Sequence, residues 1–408
     1  MPRTAAVLPE GLRISDVLSM GVLTAKIPRE VVVEVLEETG RKSKRIRQLP
    51  AHVVAYYVIA LALYMNVAYE EVLRCLVEGL ERLGEPAVRL RNTGRSAISQ
   101  ARSRLGSEPM ELLFRRIARP VGEPDCKGVW FRSWRLVSID GSTLDVGDTE
   151  ANAAEFGRPG ASRGNSAFPQ IRFVALAEVG THALFDVAVG GCKTSEVALA
   201  DELIPRLQPQ FLCLADREFY SYARWKTATE TGAGLVWRVK KNMILPPEEH
   251  LEDGSYLSTI YATAKDRRHR RNGLHVRVVE YALDGASAPD PMYRLMTNIL
   301  DPTAAPAIEL AELYHERWEI ETAFDEFKIH LRGRAVVLRS KTPELVLQEF
   351  YGLLLAHFAI RGFMNEAAIS AEVDSDSLSF THALHVVRRK IQNGSFSPSG
   401  GNGVRDHH

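Results

Sequence analysis

Six side chains in this sequence have the types and spacing to do phosphate chemistry. Asp140 and Asp216 each directly follow a short apolar run, Arg-Leu-Val-Ser-Ile (135–139) and Phe-Leu-Cys-Leu-Ala (211–215). Such runs read as strands, and ligands bind where the strands of an α/β sheet end. The other four lie in AELYHERWEIETAFDEFKIHL. With Tyr314 at zero, a helix at about 100° per residue puts Arg317 at about 300°, Glu321 at about 340° and Lys328 at about 320°. One face therefore gathers a phenol, a guanidinium, a carboxylate and an ammonium. Glu316, Glu319 and Glu326 fall at about 200°, 140° and 120°, away from it.

Each signal also has an ordinary explanation. Asp140-Gly141 is an everyday turn dipeptide, and a helix face of mixed charge is often a salt-bridged solvent face. The aromatic content of the second stretch (Tyr314, Trp318, Phe324, Phe327) argues for partial burial instead. Two strand-end aspartates and a helical glutamate are what a two-metal phosphoryl-transfer site needs. Oxygen ligands suit Mg²⁺, and a pair of ions activates the attacking oxygen while stabilising the leaving one. Arg317 and Lys328 would then hold phosphates.

The elements that must position these groups are legible in outline. Residues 1–120 read as mostly helical, with an apolar run from Val53 to Met65 that is too short to span a bilayer and reads as a buried helix. From Trp134 the pattern becomes β-β-β-α-β-α-β: strands at 135–139, 170–179 and 183–189, a helix at 194–207, a strand at 211–215, a helix at 220–230 and a strand at 234–240. Residues 241–300 break the alternation and read as a β-rich insertion, with strand-like alternation at 275–281 and 293–300. Helical patterns follow Asp301-Pro302, and again at 342–365 and 379–392; the tail SPSGGNGVRDHH has the composition of a flexible end.

Charge is balanced overall, 51 Lys and Arg against 51 Asp and Glu in 408 residues. The balance is an average: residues 1–120 hold 19 basic and 13 acidic side chains, a net of +6. The excess sits at Arg41, Lys42, Lys44, Arg45 and Arg47, and in 86–120, where eight arginines face only Glu108 and Glu111. Within the second cluster, NTGRSAISQARSRLGSEP reads as a turn and a short helix, with Ser96 a possible cap and Gly106 its end. It would present Arg95, Arg102 and Arg104 as a groove-entering helix or simply as a solvated basic face. The four scattered cysteines make no disulfide framework or zinc cluster, and the N-terminus lacks a signal-peptide core. A cytoplasmic protein is expected.

Tyr314-x2-Arg317-x3-Glu321-x6-Lys328 resembles the Y-x2-R-x3-E-x6-K signature of the insertion-sequence-four family of DDE transposases. LPEGLRISDVL and the basic helical region resemble that family's N-terminal domain, SIDGSTL its first Asp motif and LADREFYS its second. TNILDP leads into the signature helix as in relatives, and RSKTPELVLQEFYGLLLAHFAIR resembles the continuation beyond it. The likeness covers about residues 9–392. Glu218 stands in Asp216-Arg217-Glu218-Phe219 where many relatives have glycine, although some also carry Asp-Arg-Glu.

The resemblance implies an α/β, ribonuclease-H-like catalytic core at 126–340, interrupted by the insertion at 241–300. A helical DNA-binding domain would occupy 1–125 and a helical C-terminal region 341–392, followed by a tail at 393–408. It implies Asp140, Asp216 and Glu321 as a triad holding two Mg²⁺ ions, with Mn²⁺ able to substitute, and Tyr314, Arg317 and Lys328 on phosphates near the transposon end. The implied reaction is cut-and-paste transposition of terminal inverted repeats into target DNA, through hairpin ends, by a dimer in the synaptic complex. A flipped base at a hairpin end needs an aromatic platform; Tyr293 is the candidate and Trp237 its competitor, each equally readable as a packed core ring. Two other functions share part of these features: a Mg²⁺-dependent structure-selective nuclease, and a transposase-derived DNA-binding protein that no longer cuts.

Overall fold

The computed structural model describes residues 20–43, 49–82, 93–161, 164–165, 168–282, 292–331 and 337–388. The LPEGLRISDVL segment, Lys44, Arg45, Arg47, the end of the last helix (389–392) and the 393–408 tail lie outside the described residues.

The first helices are α1 (Met20–Lys26), α2 (Arg29–Glu38), α3 (Ala51–Leu63), α4 (Tyr69–Arg82), α5 (Arg95–Leu105) and α6 (Glu108–Ile117). Pro28 and Pro50 occupy the N-cap positions of α2 and α3, where the missing N–H of proline costs no helical hydrogen bond. Every side chain of α3 from Val53 to Leu63 is buried, as its uniformly apolar run requires. Helix α5 is capped by Gly94 rather than Ser96, and it ends at Gly106, whose φ of +75° only glycine adopts readily.

The sheet begins with β1 (Trp130–Phe131) and the long β2 (Trp134–Asp145). Helix α7 (Glu150–Phe156) and the small hairpin β3 (Gly160–Ala161)–β4 (Gly164–Asn165) lead to β5 (Gln170–Glu178) and β6 (Leu184–Gly191). After α8 (Glu196–Leu203) come β7 (Phe211–Ala215), α9 (Tyr222–Glu230) and β8 (Gly234–Arg238). The spatial order of these strands is β6-β5-β2-β7-β8, with β6, β5 and β2 antiparallel and β2, β7 and β8 parallel. That is the ribonuclease-H-like order expected from β-β-β-α-β-α-β. All five residues of β7 are buried, because β7 lies between parallel neighbours with side chains packed on both faces.

The insertion extends this sheet instead of standing apart from it. Strands β9 (Glu249–His250) and β10 (Tyr256–Ile260), helix α10 (Ala264–His269), β11 (Leu274–Ala282) and β12 (Met292–Thr297) follow in sequence, and β12 pairs antiparallel with β8. The order continues β8-β12-β11-β10-β9. The DRRHRR segment forms α10 and the turn after it.

Helices α11 (Ala307–His315), α12 (Glu319–Asp325), α13 (Pro343–Ala371) and α14 (Phe380–Arg388) complete the described chain. The buried apolar side chains of α12 and α13 share one core with those of α2, α3 and α4 and with Phe173 and Leu144 of the sheet. The opposite sheet face packs Val137 and Ile139 against Leu199, Leu203 and Trp225 of α8 and α9. No helix among the described residues is long and apolar enough to cross a membrane.

Candidate active site

The parallel pairing of β2 with β7 stops at Ile139 and Ala215. Asp140 and Asp216 are the next residues on the two strands, so both carboxylates stand at the same break in the sheet. Beyond it β2 continues to Asp145, paired on its other side with β5 alone. Asp216 caps the short turn Arg217–Phe219, and its Oδ1 accepts the Arg217 N–H at 2.7 Å. Asp140 Oδ1 accepts the N–H of Gly141 at 2.7 Å.

The signature stretch is not one regular helix. Between α11 and α12 it tightens into a 3₁₀ turn at Glu316–Trp318, and after α12 it widens into a π-helical turn at Glu326–Leu331. The face read from even 100° spacing nevertheless meets the sheet break. Tyr314 is buried, and its hydroxyl lies 3.4 Å from the carbonyl of Ala215, the residue before Asp216. Arg317 lies between two carboxylates, with Nη1 at 3.3 Å from Asp140 Oδ2 and Nη2 at 3.5 Å from Glu321 Oε1. Lys328 donates to Ser142 Oγ at 2.9 Å, two residues along β2 from Asp140.

The electrostatics of the break are lopsided. Burial pushes the Asp140 carboxyl up to about 6, against the opposing pull of the Gly141 N–H and the Arg317 guanidinium; the charges of Glu196 and Glu321 add to the rise. Burial also drives the Tyr314 phenol well above its ordinary range, although Arg317 opposes this. Arg317 remains firmly cationic: burial disfavours its charge, but Tyr314, Asp140, Asp216 and Glu321 outweigh it.

Glu196 at the break escaped the sequence reading, and Trp318, read there as a sign of partial burial, is exposed instead. Glu196, at the start of α8, packs beneath Gly141; a Cβ on Gly141 would lie 2.6 Å from its Cγ, so a larger residue there would push the Glu196 side chain aside. Trp318 follows Arg317, is 51% exposed, and has the Arg317 guanidinium 5.0 Å from its ring centre. Its signal was an aromatic on the rim of a charged helix face, which composition alone does not separate from core.

Other expected positions fall elsewhere. Trp237 is corrected: its ring is fully buried, edge-on to Trp225, because β8 is covered by α9, and no external base can reach it. Tyr293 is half-buried, stacked on Tyr281 at 5.3 Å and with the Arg238 guanidinium 4.3 Å from its ring centre. Arg102 is corrected too. It is 3% exposed and donates to Gln348, Ser340 and the Leu345 carbonyl, which bolts α5 to α13 and leaves it nothing to present. Arg95 and Arg104 on the same helix are exposed.

Among the described residues, the His182, Glu319 and Asp376 side chains bring three ligand-type atoms within 4.8 Å of one another. This is a hydrogen-bonded cluster. Burial opposes charging His182, yet its bonds to Glu319 and Glu326 raise its pKa. Nε2 lies 2.5 Å from Glu319 Oε2, so the ring is engaged by the carboxylates that surround it.

Two family models match the chain: "Insertion element 4 transposase N-terminal" over residues 17–115 and "Transposase DDE domain" over 134–359, more than half of it. Transposase InsG for insertion sequence element IS4, from Escherichia coli (strain K12), is 29% identical over 368 residues, covering 89% of this chain and 80% of that protein. The putative transposase InsZ of the same strain is 27% identical over 282 residues, covering 64% of this chain and 90% of that protein. A piggyBac transposase synaptic complex with hairpin DNA aligns over 92% of this chain and 81% of its own with a TM-score of 0.45 and 12% identity. With two aspartates where β2 and β7 part, a signature helix and matched domains, the chain belongs to the insertion-sequence-four family of DDE transposases, metal-dependent enzymes that cleave and join DNA.

Proposed function

We propose that Asp140, Asp216 and Glu321 form the metal-holding triad of a cut-and-paste transposase that processes its element ends through DNA hairpins. The observation that carries the reading is Arg317, a buried cation held between Asp140 and Glu321 at the point where β2 and β7 part. Asp140 beside it is a carboxylate whose charge burial disfavours, so the site gains from a further cation. The donors are all carboxylate oxygens, which suits Mg²⁺, with Mn²⁺ as a substitute. Two divalent ions bound there would supply the Lewis acidity for attack and departure at the scissile phosphate.

The chain's own residues do the positioning. Arg317 orients Asp140 and Glu321 and offers its remaining N–H donors to a phosphate; Lys328, reaching β2 at Ser142, offers a second cation. Tyr314 props the end of β7 through the Ala215 carbonyl and so fixes the approach of Asp216. Glu218, in the position where many relatives have glycine, makes an ion pair with Lys240 at the mouth of the site. Trp318 is the better platform for a flipped base than Tyr293, because it combines exposure with contact to Arg317. The helices before β1 serve as the DNA-binding part, and two copies act together on paired ends.

The test uses DNA flanking the gene as substrate. Denaturing gels with Mg²⁺ should show a nicked end followed by a hairpin; EDTA should abolish both. Open double-strand breaks without a hairpin would remove the hairpin pathway, and cleavage in EDTA would remove the metal reading.

A further inference from the structure

Arg41 and Lys42 of the first basic cluster and Arg104 of the second line one cleft. Helix α2 ends at Thr39, and Gly40, with φ +67°, turns the chain back. The N–H groups of Arg41 and Lys42 then both bond the Leu36 carbonyl at 2.8 Å, which fixes the turn. Arg41 reaches across to the last turn of α5 and donates to the Arg104 carbonyl at 3.2 Å. The resulting cleft holds about 290 Å³, with Arg41, Lys42 and Arg104 among its lining and Leu49, Val54 and Leu105 as apolar wall.

The charges there are only partly answered within the chain. Lys42 pairs with Glu37, and both side chains are more than half exposed. The Glu344 carboxylate stands beside Gly106 on the side that Arg41 also faces, a Cβ on Gly106 falling 2.9 Å from Glu344 Oε1 and 3.7 Å from Arg41 Nη2, and it accepts the Ser107 N–H. The Arg104 guanidinium has no hydrogen-bond or ion-pair partner among the described residues. A cationic rim over an apolar wall suits a ligand that alternates compact negative charge with apolar surface. The sugar-phosphate backbone does so, each phosphate being flanked by deoxyribose carbons.

We propose that this cleft, between the Gly40 turn after α2 and the end of α5, is a clamp for one backbone phosphate of DNA. Arg41 and Arg104 grip the phosphate, over a floor formed by the buried Leu49 and Val54. The clamp deepens the reading of the first helices as the DNA-binding part and rests on it. It holds DNA in register and carries no base-sequence information.

Full-length protein and a labelled random-sequence duplex, with affinity measured across salt concentrations, provide the test. Each phosphate contact contributes about 0.9 to the slope of log K against log salt. Arg41→Ala/Arg104→Ala is expected to lower the slope by about 1 and to weaken binding roughly tenfold or more at moderate salt. Should the double variant not fold, Arg104→Gln, at an exposed side chain with no partner among the described residues, is expected to lower the slope in the same direction. An unchanged slope in the folded variant overturns the proposal. Inorganic phosphate is titrated in parallel: saturable phosphate binding lost in Arg104→Gln, with the DNA slope unchanged, would make this a free-anion site and overturn the clamp. Glu321→Gln, which tests cleavage, should keep the slope, so the two readings fail separately.

Discussion

Replacing Asp140 with asparagine is expected to stabilise the metal-free protein at neutral pH while removing its chemistry. The Asp140 side chain is 22% exposed, and its carboxyl titrates at about 6 instead of the ordinary 3.8. The two values differ by roughly 2, and each tenfold change in proton affinity is worth about 1.4 kcal/mol, so the ionised carboxylate costs the fold ~3 kcal/mol. The direction follows from linkage. With the folded value raised, the native state holds the proton more tightly between about pH 4 and 6, so stability falls as pH rises through that window. The asparagine side chain has no proton to lose, and the advantage of Asp140→Asn should therefore grow from under about 1 kcal/mol at pH 4 to about 2–3 kcal/mol at pH 8. Urea denaturation of both proteins in EDTA reads this directly. Adding Mg²⁺ should reverse the order, because an ion that binds only the folded wild type stabilises it, by about 2.7 kcal/mol at a hundred times its Kd. An Asp140→Asn protein no more stable than wild type at pH 8 in EDTA, or an advantage that does not shrink toward pH 4, would refute the reasoning.

Arg361→Ala should destabilise by about 3–5 kcal/mol at neutral pH in urea melts, because Arg361 is buried against Glu326 and its loss strands a buried carboxylate. Glu326 itself is held far below the usual carboxylate range: burial would raise it, but His182, His357 and Arg361 outweigh that. Its contribution is therefore complete above its unfolded value and is lost as pH falls below it, so Glu326→Gln should flatten the acid limb of the stability–pH curve. Gly352→Ala should cost about 1–3 kcal/mol in the same melts, since a Cβ there would stand 2.9 Å from the Val58 carbonyl, where α13 crosses α3. On denaturing gels Trp318→Ala should lower hairpin yield more than Tyr293→Ala does. Trp237→Ala should instead appear as lost stability, about 3–5 kcal/mol.

What the chain announced and what it concealed divide along physical lines. The strand–helix alternation from Trp134 was legible in its apolar runs, and β7 spans 211–215, as read; β2, read as ending before Asp140, instead runs on through it to Asp145 because β5 goes on pairing with it. The gathering of Arg317, Glu321 and Lys328 was legible because helical periodicity is local. The 3₁₀ and π turns that interrupt that helix at Glu316–Trp318 and Glu326–Leu331 were not, since no local spacing marks them. Arg102 looked like any exposed arginine because its partner, Gln348, lies 246 residues away. Trp237 looked available because burial of β8 depends on α9 and on Trp225 beside it. The continuity of the insertion with the main sheet rests on the pairing of Met296 with Trp237, a contact between strands of unremarkable sequence.

The central claim is that Glu321 completes a metal-holding triad with Asp140 and Asp216, and single-turnover cleavage tests it most directly. Wild type and Glu321→Gln are compared on DNA carrying the ends that flank the gene, with Mg²⁺, at protein concentrations that bind all the substrate. The triad reading predicts undiminished binding with cleavage reduced by about a thousandfold or more, on the order of 4 kcal/mol of barrier. Cleavage by Glu321→Gln at the wild-type rate would contradict it.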